Sequence, residues 1–212
     1  MKDRPLNDPG AFWDEKFDGP DYRYGKKPNA FVAEVLPDLV EPEAKVLCVG
    51  DGEGRNGVWC ARQGYETTSL EPSAVGTSKI KALAAEQGVE LEVIQDRMPS
   101  DEIDEAAFDV VVLTYVHAPE PMRRQIHSAC LRALRSGGVV VLEGFTPDQR
   151  RNDRTSGGPP KEELMFTAEI LRDDFRGAHL ELLSEMTVEL AEGDGHRGPA
   201  DVVRMIARKP AQ

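Results

Sequence analysis

Apolar and polar positions alternate along the chain between short, nearly continuous apolar runs and longer stretches with helical spacing. Residues 45–49, 66–71, 89–95, 108–115 and 139–145 have strand length. The fourth, Phe108-Asp109-Val110-Val111-Val112-Leu113-Thr114-Tyr115, is apolar enough for a strand buried on both faces of a parallel sheet. Between these runs, residues 28–39, 55–63, 75–87 and 121–134 carry apolar side chains at helical intervals. Phe31, Val32, Val35 and Leu36 point inward in the first, and Val75, Ile80, Leu83 and Ala84 in the third. Gly64 and Gly88 stop two of these helices, and Pro28 stands near the first turn of another. The C-terminal part reads differently. A helical stretch near residues 162–175 is followed by two alternating runs, 180–190 and 200–207, joined by residues 191–199. Strand-helix alternation predicts β-α-β units and a parallel sheet, and the last two runs predict an antiparallel C-terminal hairpin. The expected fold is α/β, a doubly wound, seven-stranded, mostly parallel sheet with helices on both faces.

The first strand run ends in Gly50-Asp51-Gly52-Glu53-Gly54-Arg55-Asn56-Gly57, where the chain must turn sharply into a helix. Glycines allow close approach of a ligand to the backbone, and the new helix offers unpaired amide hydrogens and a partial positive charge. Two spacings overlap here. Gly52-x-Gly54-x-x-Gly57 is the dinucleotide fingerprint, and Gly50-x-Gly52-x-Gly54 is a nucleoside-binding loop. Glu71, at the end of the second strand, is placed to accept hydrogen bonds from ribose hydroxyls under either spacing. Asp96, Arg97 and Met98 follow the third strand, where a carboxylate can meet an exocyclic amine and a thioether can pack on a ring. Thr114, Tyr115 and His117 lie beyond the fourth strand, at the point where the sheet order is expected to reverse.

At 212 residues and 40% hydrophobic, the chain suits one sizeable core with an N-terminal extension, hence a single domain over residues 1–212. No apolar run approaches the ~18 residues of a membrane helix, and the first residues have no apolar signal core, so a cytoplasmic protein without membrane association is expected. A net charge of -12 and no long basic run disfavour nucleic acid. Arg150, Arg151, Arg154 and Lys161, with Arg123 and Arg124 at a distance, read as a solvated surface that could attract an anion if it lies near a site. Cys48, Cys60 and Cys130 have neither disulfide-framework nor metal-ligand spacing, so buried thiols and no metal are expected. Within residues 1–40, Phe12, Trp13, Phe17, Tyr22, Tyr24 and Phe31 stud a polar arm, either glued to the core or forming a lid over the cofactor.

Together with the glycine loop, Glu71 and the 108–115 strand, the segment Leu134-Arg135-Ser136-Gly137-Gly138-Val139-Val140-Val141-Leu142-Glu143 resembles class I S-adenosylmethionine-dependent methyltransferases, whose fold is Rossmann-like. More narrowly, Trp13-Asp14-Glu15-Lys16-Phe17, Tyr22-Arg23-Tyr24-Gly25, Pro28-Asn29 and Gly54-Arg55-Asn56 resemble the subgroup of tellurite-resistance and, more distantly, thiopurine methyltransferases. The resemblance implies S-adenosylmethionine as cofactor. It implies that Gly50, Gly52, Gly54 and Asn56 flank its methionine and ribose parts, and that Glu71 and Pro72 hold the ribose. It also implies that Asp96, Arg97 and Met98 border the adenine, that Thr114 and Tyr115 lie near the sulfonium, and that Tyr24 and Gly25 lie above. Cys48 stands where the family usually has an acid, and Asp51 where Cys or Ser is usual, so Asp51 is the candidate to meet the cofactor's amino group.

Methyl transfer needs an in-line nucleophile about 3 Å away and a dry site. A thiolate or reduced chalcogen needs no base, whereas a hydroxyl or amine would use an imidazole, with His117 and His196 as candidates. His127 and His179 read as surface residues. The expected activity is methylation of a small molecule such as a thiol or chalcogen oxyanion, by a monomer or homodimer. Two alternatives stand beside it, a catalytically idle cofactor-binding regulator and an NAD-dependent oxidoreductase.

Overall fold

A computed structural model describes residues 8–211. Its sheet has seven strands: β1 (Lys45–Val49), β2 (Glu66–Leu70), β3 (Glu92–Ile94), β4 (Phe108–Thr114), β5 (Leu134–Phe145), β6 (His179–Glu192) and β7 (His196–Arg208). They lie in the order β3-β2-β1-β4-β5-β7-β6. The first five pair in parallel, while β7 runs antiparallel between β5 and β6. The helices are α1 (Pro9–Phe17), α2 (Ala30–Leu39), α3 (Arg55–Arg62), α4 (Ala74–Gln87), α5 (Glu120–Ala133), the short α6 (Asp148–Arg151) and α7 (Ala168–Asp174). Among the described residues, no helix is long and apolar enough to cross a membrane.

Strand periodicity divides the core into two layers. Leu47, Val49, Val111, Leu113, Val140 and Leu142 pack with Ile126 and Cys130 of α5 and with Leu171 of α7. Their neighbours in sequence, Val46, Cys48, Val110, Val112, Val139 and Val141, pack with Phe31, Val32 and Leu36 of α2 and Cys60 of α3. Each fully buried Val or Leu contributes about 1.5–3 kcal/mol, so the central strands anchor the fold. All three cysteines are free and buried.

Several expectations change. Helix α1 was not read in the polar arm, although Asp8 caps it and Pro9 opens it, a sequence signal for a helix start. Strand β3 keeps only three of its seven expected residues, as the edge strand pairing only with β2. Strand β5 starts at Leu134, and its register with β4 jumps from Phe108↔Leu134 to Val110↔Val139, so residues 136–138 form an outward bulge inside one long strand. The expected 162–175 helix is broken into a 3-10 turn (Glu162–Leu164) and α7.

His127 is buried, contrary to its surface reading. It shares Asp174 with Arg123, at 2.8 and 2.7 Å, and joins α5 to α7. Burial alone would raise Asp174, but His127 and Arg123 bring it down to about 2. The loop arginines are staples rather than a free cationic face. Arg150 donates to the carbonyls of Arg154, Gly157, Gly158 and Pro159, Arg154 pairs with Asp201, and Arg151 pairs with Asp148 and Glu162.

Gly57 shows how tightly the β1-α3 turn is built. A Cβ there would collide with Ser69 Oγ and Asp51 Oδ2 beneath the helix. Gly57→Ala is expected to destabilise the protein by ~1–3 kcal/mol in urea denaturation, the usual cost of overpacking, despite alanine's better helix propensity. A neutral or stabilising result would contradict this packing.

Candidate functional site

The order of the sheet reverses between β1 and β4, and the loops after these strands open the crevice where open α/β sheets bind ligands. Gly50, Gly52 and Gly54 all have positive φ, at 60°, 63° and 93°, so the chain can turn from β1 into α3 without side chains over the crevice. Glu71 is buried at the end of β2 and accepts from the N–H groups of Gly52 and Ser73, both at 2.8 Å. Burial is the main reason its carboxyl is pushed up to about 8, against the two backbone bonds that lower it.

Asp51 lies beneath the loop. Its carboxylate accepts from Ser69 Oγ at 2.6 Å and from the Gly57 N–H at 3.2 Å, and burial raises it to about 6. Its oxygens are committed to fixing α3, so the expectation that it meets the cofactor's amino group does not fit the geometry. On the adenine side, Asp96 turns back to its own loop, accepting from the Arg97 N–H and Ser100 Oγ, while Arg97 is exposed and Met98 packs into the core.

Helix α1 lies across the glycine loop. Phe17 is buried and would touch a Cβ at Gly52, while Asp14 accepts from Ser73 Oγ at 2.6 Å and from the Val75 N–H at 3.0 Å. Gly10 sits against the Pro72 carbonyl, so closely that a side chain would not fit. Trp13 stacks on Phe17, and Phe17 meets Tyr24 edge-on.

Beyond the sulfonium end predicted from sequence, the structure gathers a buried polar cluster. Tyr115 adopts φ 59°, a strained conformation for an aromatic residue, and donates its hydroxyl to Glu143 Oε1 at 2.6 Å. Arg204 donates to the other Glu143 oxygen at 2.6 Å, and Arg55 stands 2.6 Å from Glu192. Asn29 Nδ2 bridges both acids, donating to Glu143 at 2.6 Å and Glu192 at 3.0 Å. The Asn29 N–H donates to Asn56 Oδ1, and Asn56 Nδ2 donates to Thr114 Oγ1. Sequence reading singled out neither Glu143 nor Glu192 as site residues, because each is an ordinary strand acid until the sheet pairs it. Asn29 was noted only as part of a motif.

The two candidate imidazoles separate. His117 accepts from the Phe145 N–H through Nε2 and donates from Nδ1 to the Leu164 carbonyl. It stacks on Phe166, and burial lowers it to about 4. With both nitrogens spent on the backbone, His117 is not placed to take a proton, which corrects its reading as a base. His196 was expected in a loop, yet it starts β7 opposite Glu192 across a three-residue turn. Its ring lies 4.4 Å from those of both Tyr24 and Tyr115. The turn itself rests on the arm, with the Gly195 N–H donating to the Arg23 carbonyl and Gly193 packed on Gly25.

Residues 46–138 match a family described as a methyltransferase domain. The match takes in the glycine loop, the end of β2 and β4 but stops short of the C-terminal hairpin. A 101-residue stretch is 34% identical to ubiquinone biosynthesis O-methyltransferase of Cronobacter sakazakii, taking in 46% of this chain and 41% of that protein. The chain thus spans about two fifths of that relative's length. The fold is similar to that of a structure described by the conversion of a disulfide bond into a thioacetal group during echinomycin biosynthesis, with a TM-score of 0.72, 20% identity, and coverage of 95% of this chain and 93% of that one. TehB from Haemophilus influenzae gives a TM-score of 0.68 at 18% identity, over 94% of this chain and 66% of that one.

The pH behaviour of Glu71 follows from its burial. Its folded-state pKa of about 8 lies above the ordinary value of about 4.3, so its contribution to stability is complete below pH ~4 and is lost as the pH rises through about 8. The melting temperature of ligand-free wild type is expected to fall progressively below that of Glu71→Gln between pH 5 and 9. A constant offset between the two melting curves would contradict the assignment.

Proposed function

We propose that the protein transfers a methyl group from S-adenosylmethionine to a small-molecule acceptor held beside the aromatic cluster of Tyr24, Tyr115 and His196. The observation that carries this reading is the pairing of a glycine loop in positive-φ backbone beside buried Glu71 with an aromatic and polar cluster one strand away. When bound, the cofactor supplies an electrophilic methyl on sulfur, whose electron pair stays with sulfur as the acceptor's lone pair forms the new bond.

The chain's own residues bind, orient and exclude water. Glu71 takes the ribose hydroxyls, and Gly50, Gly52 and Gly54 pass beside the ribose and methionine parts. Thr114 and Tyr115 border the reacting end, with Asn56 locking α3 to Thr114. His196 is the imidazole that faces the acceptor. Helix α1 and Tyr24-Gly25 act as a lid over this single domain, since Phe17 rests on Gly52 and Asp14 caps the start of α4. A dry site strengthens its electrostatic interactions. The thiol or chalcogen acceptor expected from sequence finds no side chain that selects it.

The direct test is calorimetric titration with S-adenosylhomocysteine. In titrations at pH 9, where the Glu71 carboxyl is ionised, Glu71→Ala is expected to weaken binding by ~1.5–3 kcal/mol, the range for hydrogen bonds to a charged group. Unchanged affinity would remove Glu71 from the ribose, and no binding by wild type would remove the function.

A further inference from the structure

His196 is a side chain whose chemistry is set by a neighbour. Glu192 and His196 are cross-strand partners at the tip of the β6-β7 hairpin, closed by Gly193-Asp194-Gly195, and Nδ1 of His196 lies 3.3 Å from Glu192 Oε2. A carboxylate can only accept, so this nitrogen carries the proton. The carboxylate is itself held in place, by Arg55 at 2.6 Å on one oxygen and by Asn29 Nδ2 at 3.0 Å on the other. Burial raises Glu192, but the bond to His196 and the charge of Arg55 outweigh it and leave the acid lowered and ionised.

The rings of Tyr24 and Tyr115 flank the imidazole at 4.4 Å each, and Gly157 lies so close to its Cδ2 edge that a side chain there would collide. Among the described residues, no hydrogen bond engages Nε2. The groups that set its charge are Glu192 on β6, Arg55 on α3, Glu143 on β5, His117, and the phenols of Tyr24 and Tyr115. Both cations of the cluster, buried Arg55 and half-buried Arg204, already stand against carboxylates, Arg55 with Glu192 and Arg204 with Glu143. An anionic acceptor would meet no uncompensated buried charge, and the chain's net charge of -12 disfavours its approach.

We propose that Glu192 is a positioning residue that holds His196 as the Nδ1–H tautomer with the Nε2 lone pair open, so that the site takes a neutral acceptor whose oxygen or nitrogen arrives with its proton. That proton passes to Nε2 as the acceptor's lone pair is engaged, and the resulting imidazolium returns it to water afterwards. The inference rests on the methyl-transfer reading above and names its acceptor class, a hydroxyl or amine.

The test is nitrogen-15 NMR of the imidazoles in the full-length protein saturated with S-adenosylhomocysteine, with His196 assigned by loss of its signals in His196→Gln. In wild type, His196 is expected as the Nδ1–H tautomer, titrating below 6.5. In Glu192→Gln its midpoint is expected to fall by about one unit, the effect of removing an adjacent negative charge. In Glu192→Ala the Nε2–H tautomer is expected to appear, and Glu192→Asp is expected to restore the wild-type pattern in part. An Nε2–H tautomer in wild type overturns the proposal even if no variant folds. A midpoint and tautomer unchanged in variants that still bind S-adenosylhomocysteine overturn it as well. Failure of wild type to bind that nucleoside would instead sink the methyl-transfer reading.

Discussion

The structure depends on neutralising two buried carboxylates, Glu143 and Glu192, which the sheet brings side by side beneath the arm. Neither could remain ionised in that place alone, since isolated buried charges cost several kcal/mol. Arg204, Arg55, Tyr115 and His196 each answer one of them, and Asn29 touches both. Because these partners come from α3, the residue after β4, β7 and the N-cap of α2, the junction joins the N-terminal arm, the glycine-loop helix and the C-terminal hairpin. Removing one member of such a set leaves its partners charged and unpaired, so the elements stand or fall together.

In the proposed reading, this junction makes the glycine loop and the cluster of Tyr24, Tyr115 and His196 one site. Arg55 follows the last glycine of the loop, and Asn56 binds both Asn29 and Thr114. The glycine loop is therefore tied, through two consecutive side chains, to the residues that would face an acceptor in that reading. Helix α1 adds a cover from above, seated on the loop by Phe17 and on α4 by Asp14. The strain at Tyr115 is sustained by the same network, since its hydroxyl is held by Glu143.

What could be read from sequence was whatever is local or periodic. The alternating core faces, the glycine turn, Glu71 at a strand end and the terminal hairpin all depend on residues close together in the chain. Residues whose roles depend on distant partners were misread or missed. His127 looked like a surface residue because Asp174 and Arg123 meet it only when α5 packs on α7. His117 looked like a base because nothing in sequence shows that the Phe145 N–H and the Leu164 carbonyl take both its nitrogens. Glu192 is the instructive case, since it stands four residues before His196, and only the tightness of the turn between them makes the two cross-strand partners. Asp51 drew attention as a substitution at a cofactor position, yet its carboxylate is spent under the loop on Ser69 and Gly57.

The central claim is that this crevice takes the nucleoside of a methyl donor, and a thermal-shift comparison of the protein alone, with S-adenosylhomocysteine and with NAD tests it most directly. A ligand that binds only the folded state raises the melting temperature, by an amount that grows with its concentration over Kd. The account predicts a rise with S-adenosylhomocysteine and none with NAD. A rise with NAD alone would contradict it.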